Sequence, residues 1–256
     1  MTQEYIQQTR LLARNISTVF QVPFFALKGG TAINLFIQNM PRISVDIDTT
    51  FTDRTLPREN ALAAIKEELR NVSARLQRNG FEVVSQAEFF YDEETKLIVK
   101  KEHSRVKIEV NHIYRGTILP VKNLELCSAA QELFKTEASI PCLDASEIYG
   151  GKIIAALSRQ HPRDFFDVRG MFSSSGLTPE IVECAVCIVC GDRKPIHEIL
   201  FPNNHDISRA FQHEFLGMTD DPVTLSDLLE TRDRLRVEIE QKLTPAHKEF
   251  LLSFVS

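Results

Sequence analysis

The sequence contains no tryptophan, and only five of its 256 residues are cysteine. An odd number of cysteines without regular spacing argues against a disulfide framework and fits a reducing compartment. The longest apolar run, from Ile181 to Cys190, contains Glu183 and is too short to span a bilayer. The first residues form no basic-then-apolar signal segment, so we expect a cytoplasmic protein without a membrane partner.

Several catalytic signatures are also missing. No Gly-Lys-Ser/Thr follows a glycine run, which excludes a Walker-type phosphate loop, and none of the seven histidines pairs with a Cys or Ser in a hydrolytic arrangement. Internal repeats and low-complexity segments are absent. What is present is 43% hydrophobic residues and a net charge of −5. This composition predicts a globular protein with one large core or two smaller ones, and it argues against indiscriminate binding of polyanions.

The most informative segment runs from Arg42 to Phe51, where apolar and polar residues alternate. The alternation predicts a strand over 44–51 with Asp46 and Asp48 side by side on its polar face, about 6.5 Å apart along the strand. Two carboxylates this close favour a cation between them. The segment therefore predicts a divalent metal site.

Upstream, Phe24–Leu27 predicts a short buried strand, followed by a glycine turn at Lys28, Gly29 and Gly30 and a helix that starts at Thr31. Glycines let the backbone approach a ligand closely, and the first N–H groups of a helix bind anions. The turn thus predicts a phosphate site. The alternative is that the two glycines serve only a tight connection.

The rest of the chain divides into a strand-rich part and a helical part. Apolar residues at 3–4 spacing predict a helix over 57–78. The change to a helical pattern places the domain boundary between Leu119 and Ala145. Other predicted elements are a helix over 4–18, a helix over 31–38 ended by Pro41, and strands over 81–84, 87–91, 97–101 and 105–113.

Taken together, three motifs resemble the AbiEii/AbiGii nucleotidyltransferases, toxins of bacterial toxin–antitoxin and abortive-infection systems that include the MenT-type transfer-RNA modifying toxins. The resemblance covers about 24–172. Gly30-Thr31 stands where the wider polymerase-β-like superfamily has Gly-Ser, a departure that this toxin family commonly shows. The motifs are Leu27-Lys-Gly-Gly-Thr-Ala32, Arg42-x-Ser44-x-Asp46-x-Asp48, and Lys152 with Arg159 and Arg163-Asp-Phe-Phe-Asp167.

The resemblance implies an α/β fold: a polymerase-β-like nucleotidyltransferase domain with a mixed sheet over 1–125, then a mainly helical C-terminal domain over 126–256 that completes the active site. It implies transfer of NMP from an NTP to an acceptor hydroxyl, with the 3′ end of a tRNA as the expected acceptor and a cognate antitoxin as partner. Two alternatives stay open. In the first, the acceptor hydroxyl belongs to another protein or to a small molecule. In the second, this chain is a non-catalytic module that senses nucleotides or binds the antitoxin.

The resemblance also implies roles for single residues. Asp46 and Asp48 would hold Mg²⁺, with Mn²⁺ as a substitute, and Glu109 on a neighbouring strand would be the third carboxylate and the base toward the incoming hydroxyl. The alternative for Glu109 is an exposed glutamate that pairs with Lys107 or Arg105. The implied contacts to the NTP come from Lys28, Gly29, Gly30, Thr31, Ser44 and Arg159.

In the second half, Lys152 and Arg159 are seven residues apart on a predicted helix and therefore share a face. Pro162 is suited to begin the next helix, on which Asp164 and Asp167 share a face. The resemblance assigns Lys152 to the triphosphate and to catalysis, with Asp164, and Asp167 behind it, as the catalytic acid. The alternative is an ion-pair network of Arg and Asp residues that joins the two helices.

Two further patterns have alternative interpretations. Between Lys96 and Arg115 there are six Lys or Arg residues against two glutamates, which could follow an RNA backbone or line a solvated edge hairpin. Cys184, Cys187 and Cys190 recur at intervals of three, which permits a zinc site, but the residues between them are apolar and favour a packed helix.

Overall fold

The alternating segment around Asp46 forms an inner strand of a seven-stranded mixed sheet, in a computed structural model that describes residues 1–87 and 94–255. The chain divides into two compact units, one of Met1–Asp144 with Gly217–Asp220 and one of Ala145–Leu216 with Asp221–Ser256. The sheet belongs entirely to the first unit. The α/β fold expected from the motifs is confirmed.

The first unit begins with a helix and continues through the sheet strands and their connecting helices. The strand order is β3-β4-β5-β2-β1-β7-β6, in which β2 pairs with β5 and β1 with β7 in parallel, and the other neighbours are antiparallel. The elements are α1 (Gln3–Val19), β1 (Phe25–Lys28), α2 (Gly29–Ala32, which continues as a π-helical turn over Ile33–Ile37), β2 (Asp46–Phe51), α3 (Arg58–Arg78), β3 (Glu82–Ala87), β4 (Glu94–Lys101), β5 (Ser104–Arg115), β6 (Lys122–Glu125), α4 (Ser128–Phe134) and β7 (Ser139–Cys142).

Helices α1 and α3 cover one face of the sheet. They contact each other, and α1 packs on β5 while α3 packs on β3 and β4. The apolar stripe of each helix is buried, with Ile16 of α1 and Leu76 of α3 fully excluded from solvent. On β5 the alternation is regular, since Val106 and Ile108 are buried on the helix-covered face. Residues between them therefore point to the opposite, open face of the sheet.

The structure changes several sequence-based expectations in detail. Strand β2 begins at Asp46, and Ser44 precedes it outside the strand. The sequence did not predict α4, β6 or β7, because these elements are short and lack a clear period. Strand β7 pairs with β1 and β6, so the first unit extends to Asp144, which lies inside the interval of 119–145 that the sequence pattern gave and beyond the residue 125 given with the resemblance. Most of the strand expected over 87–91 lies outside the described residues.

The second unit is helical, as the pattern from Ala145 onward indicated. Helix α5 packs on α6, α7, α8 and α10. Capping groups set several helix starts: Thr178 begins α7, and Thr224 and Asp227 form a reciprocal capping box on α10. The helices are α5 (Ala145–Arg159), α6 (Pro162–Ser174), α7 (Pro179–Val189), α8 (Ile196–Leu200), α9 (Ser208–Ala210, which continues as a π-helical turn over Phe211–Phe215), α10 (Leu225–Lys242) and α11 (Pro245–Val255).

Across the residues that the structure describes, no helix has both the length and the apolar character needed to cross a bilayer.

Candidate active site

Asp46 and Asp48 lie on the open face of β2, one on each side of the fully buried Ile47. Both aspartates are half-buried, so their carboxylates are accessible from the open face. The strand thus presents the two acids side by side, as its alternation predicted. Lys28 of β1 is the antiparallel register partner of Asp48.

Gly29 allows the start of α2 to approach the Asp48 carboxylate. The residue has φ +73°, a left-handed conformation that side chains rarely adopt, and a Cβ built there would lie 2.7 Å from Asp48 Oδ2. Any other residue at this position would press against the carboxylate. The glycine turn therefore lies directly beside the acid pair.

The two hydroxyl residues of the motifs are buried and bonded to each other. Thr31 Oγ1 lies 2.8 Å from Ser44 Oγ and also donates to the carbonyl of Asp46. The carbonyl of Ser44 in turn accepts a hydrogen bond of 3.0 Å from Thr9 Oγ1 of α1. These bonds hold the start of α2 against the residues that lead into β2.

Arg42 is a buried cation at the same turn that the sequence left without a role. Its Nη1 donates to the carbonyl of Ile43 at 2.9 Å, and a Cβ added to Gly30 would lie 2.7 Å from its Nη2. The second glycine thus makes room for a guanidinium, whereas the first makes room for a carboxylate. The sequence motif Arg42-x-Ser44 already contained the residue that fills the space beside Gly30.

Glu109 of β5 is the parallel register partner of Asp48 and lies on the same open face. Both of its oxygens are engaged: Oε2 lies 2.8 Å from Lys107 Nζ, and Oε1 lies 3.3 Å from Lys96 Nζ. Burial raises the pKa of Glu109, but the hydrogen bond and charge of Lys107, with Lys96, outweigh it and lower the pKa below its ordinary 4.5. Glu109 therefore makes the pair with Lys107 that the alternative interpretation anticipated.

Lys107 is a cation within the acidic face, and the sequence considered it only as a partner for Glu109 and as a member of the basic stretch. It is the register partner of Asp46. Burial lowers its pKa, but Glu109, Asp46 and Asp48 together raise it above its ordinary 10.5. The ammonium thus stays charged among three carboxylates.

The donor set fits Mg²⁺. In the described part of the chain, no three side chains of His, Cys, Asp and Glu come together as a metal cluster. Asp46 and Asp48 are therefore the first candidate ligands, and Glu109, the expected third carboxylate, is engaged by Lys107 and Lys96. Mg²⁺ is often held by one or two protein carboxylates, with substrate phosphates and water completing its shell. The space beside Asp48 that a Cβ at Gly29 would fill is suited to such a shared ion.

In the second unit, Lys152 of α5 lies between two aspartates of α6. Its Nζ is 2.9 Å from Asp164 Oδ1 and 2.9 Å from Asp167 Oδ2, and all three side chains are buried. Arg159 closes the cluster from its exposed end, with Nε 2.5 Å from Asp164 Oδ2 and Nη2 2.8 Å from Oδ1. Two cations and two anions are thus paired, and α5 is joined to α6 as the alternative interpretation described.

Asp164 is the central acid of this cluster. Burial raises the pKa of its carboxyl, but the charges and hydrogen bonds of Lys152 and Arg159 outweigh burial and lower the pKa far below its ordinary 3.8. His161 caps the start of α6 by accepting from the Arg163 N–H, with Pro162 at the first helical position. The turn before α6 thereby sets the position of both aspartates.

A family model described as nucleotidyl transferase AbiEii toxin of type IV toxin–antitoxin systems matches residues 10–256. The protein belongs to the AbiEii nucleotidyltransferase toxins. Membership establishes a nucleotidyltransferase with an NTP substrate and implies a cognate antitoxin. The match extends well beyond the segment of 24–172 in which the sequence motifs lie.

Two solved structures share the fold of this AbiEii-family toxin. MenT4, a nucleotidyltransferase toxin from Mycobacterium tuberculosis H37Rv, aligns with a TM-score of 0.70 at 18% identity, over 96% of this chain and 88% of MenT4. JHP933 from Helicobacter pylori aligns with a TM-score of 0.53 at 13% identity, over the whole of both chains. No curated protein matches the sequence.

The basic stretch of the toxin lies on β4 and β5 and is partly neutralised. Besides the lysines that contact Glu109, Lys100 pairs with Glu82 at 3.0 Å, and Lys101 lies over the Phe81 ring. Strand β4 is an inner strand, with β3 on its outer side. The lysines of β4 therefore do not protect a sheet edge, which removes one reason for the solvated-edge interpretation.

Cys184 and Cys187 lie on α7 and Cys190 is its C-terminal cap, and they differ in burial, since Cys187 is exposed and Cys190 is half-buried. Cys184 is buried, and its Cβ would lie 2.8 Å from a Cβ added to Gly150 of α5, so a small residue is needed on each helix. Cys190 Sγ contacts the carbonyl of Val186, as a helical thiol commonly does. Burial raises the pKa of the Cys187 and Cys190 thiols, which disfavours the thiolate that zinc requires.

Proposed function

We propose that this toxin uses Mg²⁺, held by Asp46 and Asp48, to transfer an NMP group from an NTP to the 3′-terminal hydroxyl of a tRNA. The observation that carries this proposal is the half-buried acid pair on the open face of β2, with Gly29 leaving space beside Asp48 Oδ2. Divalent metal chemistry of this kind requires oxygen ligands beside a phosphate site.

The first turn of α2, at Gly29, Gly30 and Thr31, is the proposed phosphate site. Its backbone lies against the acid pair, so a triphosphate bound to the turn would lie within reach of a shared ion. The hydroxyls of Thr31 and Ser44 are engaged with each other, and they support the proposal by fixing the turn. For Lys28, at the end of β1 and opposite Asp48, we propose a charge contact with the phosphates.

In the proposed reaction the acceptor oxygen attacks the α-phosphorus in line. A new P–O bond forms, the bond between the α-phosphorus and its bridging oxygen breaks, and pyrophosphate leaves with that electron pair. Bound Mg²⁺ would neutralise charge on the phosphate oxygens. The hydroxyl proton passes to a nearby carboxylate, for which Glu109, beside Asp48, is the proposed acceptor.

For the second unit we keep the roles that the resemblance implies as a proposal. As in that resemblance, Lys152 is proposed for the triphosphate and for catalysis, Arg159 for the nucleotide, and Asp164, with Asp167 behind it, as the catalytic acid. The ion pairs bring the proposed acid and the proposed cation together, because both carboxylates hold the Lys152 ammonium at 2.9 Å.

The direct test is incubation of the purified protein with each α-labelled NTP, Mg²⁺ and total RNA. We expect label from one NTP to enter tRNA, to be lost with EDTA, and to be absent with Asp46→Asn. If the label enters a protein or a small molecule instead, that molecule and not tRNA is the acceptor. Transfer that survives both EDTA and Asp46→Asn would contradict the metal assignment.

The proposed binding of RNA is tested separately by variants of the basic stretch. Changing Lys100, Lys101 and Arg105 to Gln should weaken RNA binding and flatten its dependence on salt, because each lost phosphate contact removes counterion release. Binding of NTP should stay unchanged. The matched control removes three exposed charges from α3, which covers the face opposite Lys100 and Arg105, at Arg58, Arg70 and Arg78. If the two triple variants bind RNA with equal affinity, the RNA acceptor does not bind at the basic stretch.

A further inference from the structure

Lys107 is a cation that lies among the acids on the open face of the sheet. The parallel pairing of β2 with β5 places Lys107 opposite Asp46 and Glu109 opposite Asp48, and the alternation of the strands puts all four side chains on one face. Adjacent strands are about 4.8 Å apart, so these side chains form one cluster. The Lys107 ammonium contacts Glu109 Oε2 at 2.8 Å.

We infer that Lys107 competes with the divalent metal ion for this acidic face. The ammonium pairs with Glu109 when no metal ion is bound, and it gives up that carboxylate and moves to solvent when one binds. The inference rests on the proposed function and deepens it, because it makes metal entry an exchange of one cation for another.

Two observations indicate that the metal ion displaces the Lys107 ammonium and does not simply bind beside it. Lys96 holds the other oxygen of Glu109, so this carboxylate has no oxygen to offer a metal ion until one lysine leaves. Lys107 is the lysine on the side of the aspartates, since β5 lies between β4 and β2.

The Lys107 head is also able to leave. Its side chain is 37% exposed on the open face, so the ammonium can reach water without burial of an unpaired charge. A lysine is a flexible point charge, whereas a guanidinium at this position would hold the carboxylate in a fixed fork. The expected consequence is weak binding of metal alone, since an internal cation must be displaced first.

The test measures Mn²⁺ binding to the full chain without nucleotide, by electron paramagnetic resonance of the free ion and by calorimetry. Lys107→Met keeps the length of the side chain and removes its charge, and it should lower the Kd for Mn²⁺ about tenfold, which corresponds to ~1.4 kcal/mol. Lys107→Arg should bind Mn²⁺ no more tightly than the wild-type protein. Asp46→Asn should lose binding, which assigns the signal to this site.

Lys100→Met is the matched control, because it removes the same charge from β4, where Lys100 pairs with Glu82. It should change the Kd less than twofold, since that charge lies farther from the aspartates. Three results would overturn the inference: a Kd in Lys107→Met equal to or weaker than wild type, equal tightening in Lys100→Met, or no Mn²⁺ binding in any protein. None of the three would remove the metal from the proposed function, because there the substrate phosphates complete the shell of the ion, and that proposal is tested separately by EDTA and Asp46→Asn.

Discussion

Replacing Lys152 by methionine should destabilise the second unit strongly. The substitution keeps the packing of the side chain but leaves Asp167 without the ammonium at 2.9 Å and Asp164 with Arg159 alone. Breaking a buried ion pair by removing one partner costs about 3–5 kcal/mol, because the remaining charge stays buried and uncompensated. Since domains are stable by only about 5–15 kcal/mol, this is a large part of the total.

The loss should appear in equilibrium urea unfolding followed by far-UV circular dichroism. With an m-value of about 1–3 kcal/mol per molar urea, the midpoint of the second unit should fall by roughly 2 M. Arg159→Gln is the contrasting variant, because its side chain is 59% exposed and its pair with Asp164 is screened by water. Its unfolding free energy should fall by at most about 1 kcal/mol.

A triple variant separates folding from chemistry. Lys152→Met with Asp164→Asn and Asp167→Asn removes the buried charges together, and the unfolding free energy should return to within about 1–2 kcal/mol of wild type. If this folded protein fails to bind NTP, the charges act on the nucleotide. If it both binds NTP and transfers NMP as wild type does, the cluster serves the fold alone. An unchanged urea midpoint in Lys152→Met would refute the reasoning from burial.

Three further predictions concern other parts of the molecule. Gly29→Ala should lower the free energy of unfolding by about 1–2 kcal/mol through left-handed strain, and it should also abolish nucleotide-dependent activity because the new Cβ collides with Asp48. Gly80→Ala is the control, since Gly80 has a similar φ and no atom within 4 Å among the described residues, and it should lower stability alone. Folding lowers the pKa of Asp164 from 3.8, so its contribution to stability is present above pH ~4 and is lost as the pH falls toward the pKa of the folded state. In thermal melts across pH 2–6, the melting temperature of Asp164→Asn should therefore fall less at acid pH than that of the wild-type protein. Expression should arrest growth of a bacterial host, relieved by the cognate antitoxin and by Asp46→Asn at equal abundance; arrest by that variant would show a toxicity independent of transfer.

The sequence motifs identified the acid strand and the glycine turn because both depend on local patterns. A period of two places Asp46 and Asp48 on one face of β2 whichever strands lie beside it. The spacing of Lys152 and Arg159 likewise places them on one face of α5. Short elements such as β6 and β7 were missed, because four residues carry too little periodicity to distinguish a strand from a loop.

Only the tertiary structure decided which side chains meet. Glu109 reaches Asp48 because β5 pairs with β2 across about sixty residues of sequence, a register that the period of neither strand specifies. The same pairing places Lys107 among the acids, and the packing of α6 on α5 places Asp164 and Asp167 around Lys152. Local periodicity determines the face on which a residue lies, whereas its partners depend on the non-local burial of apolar surface that brings the elements together.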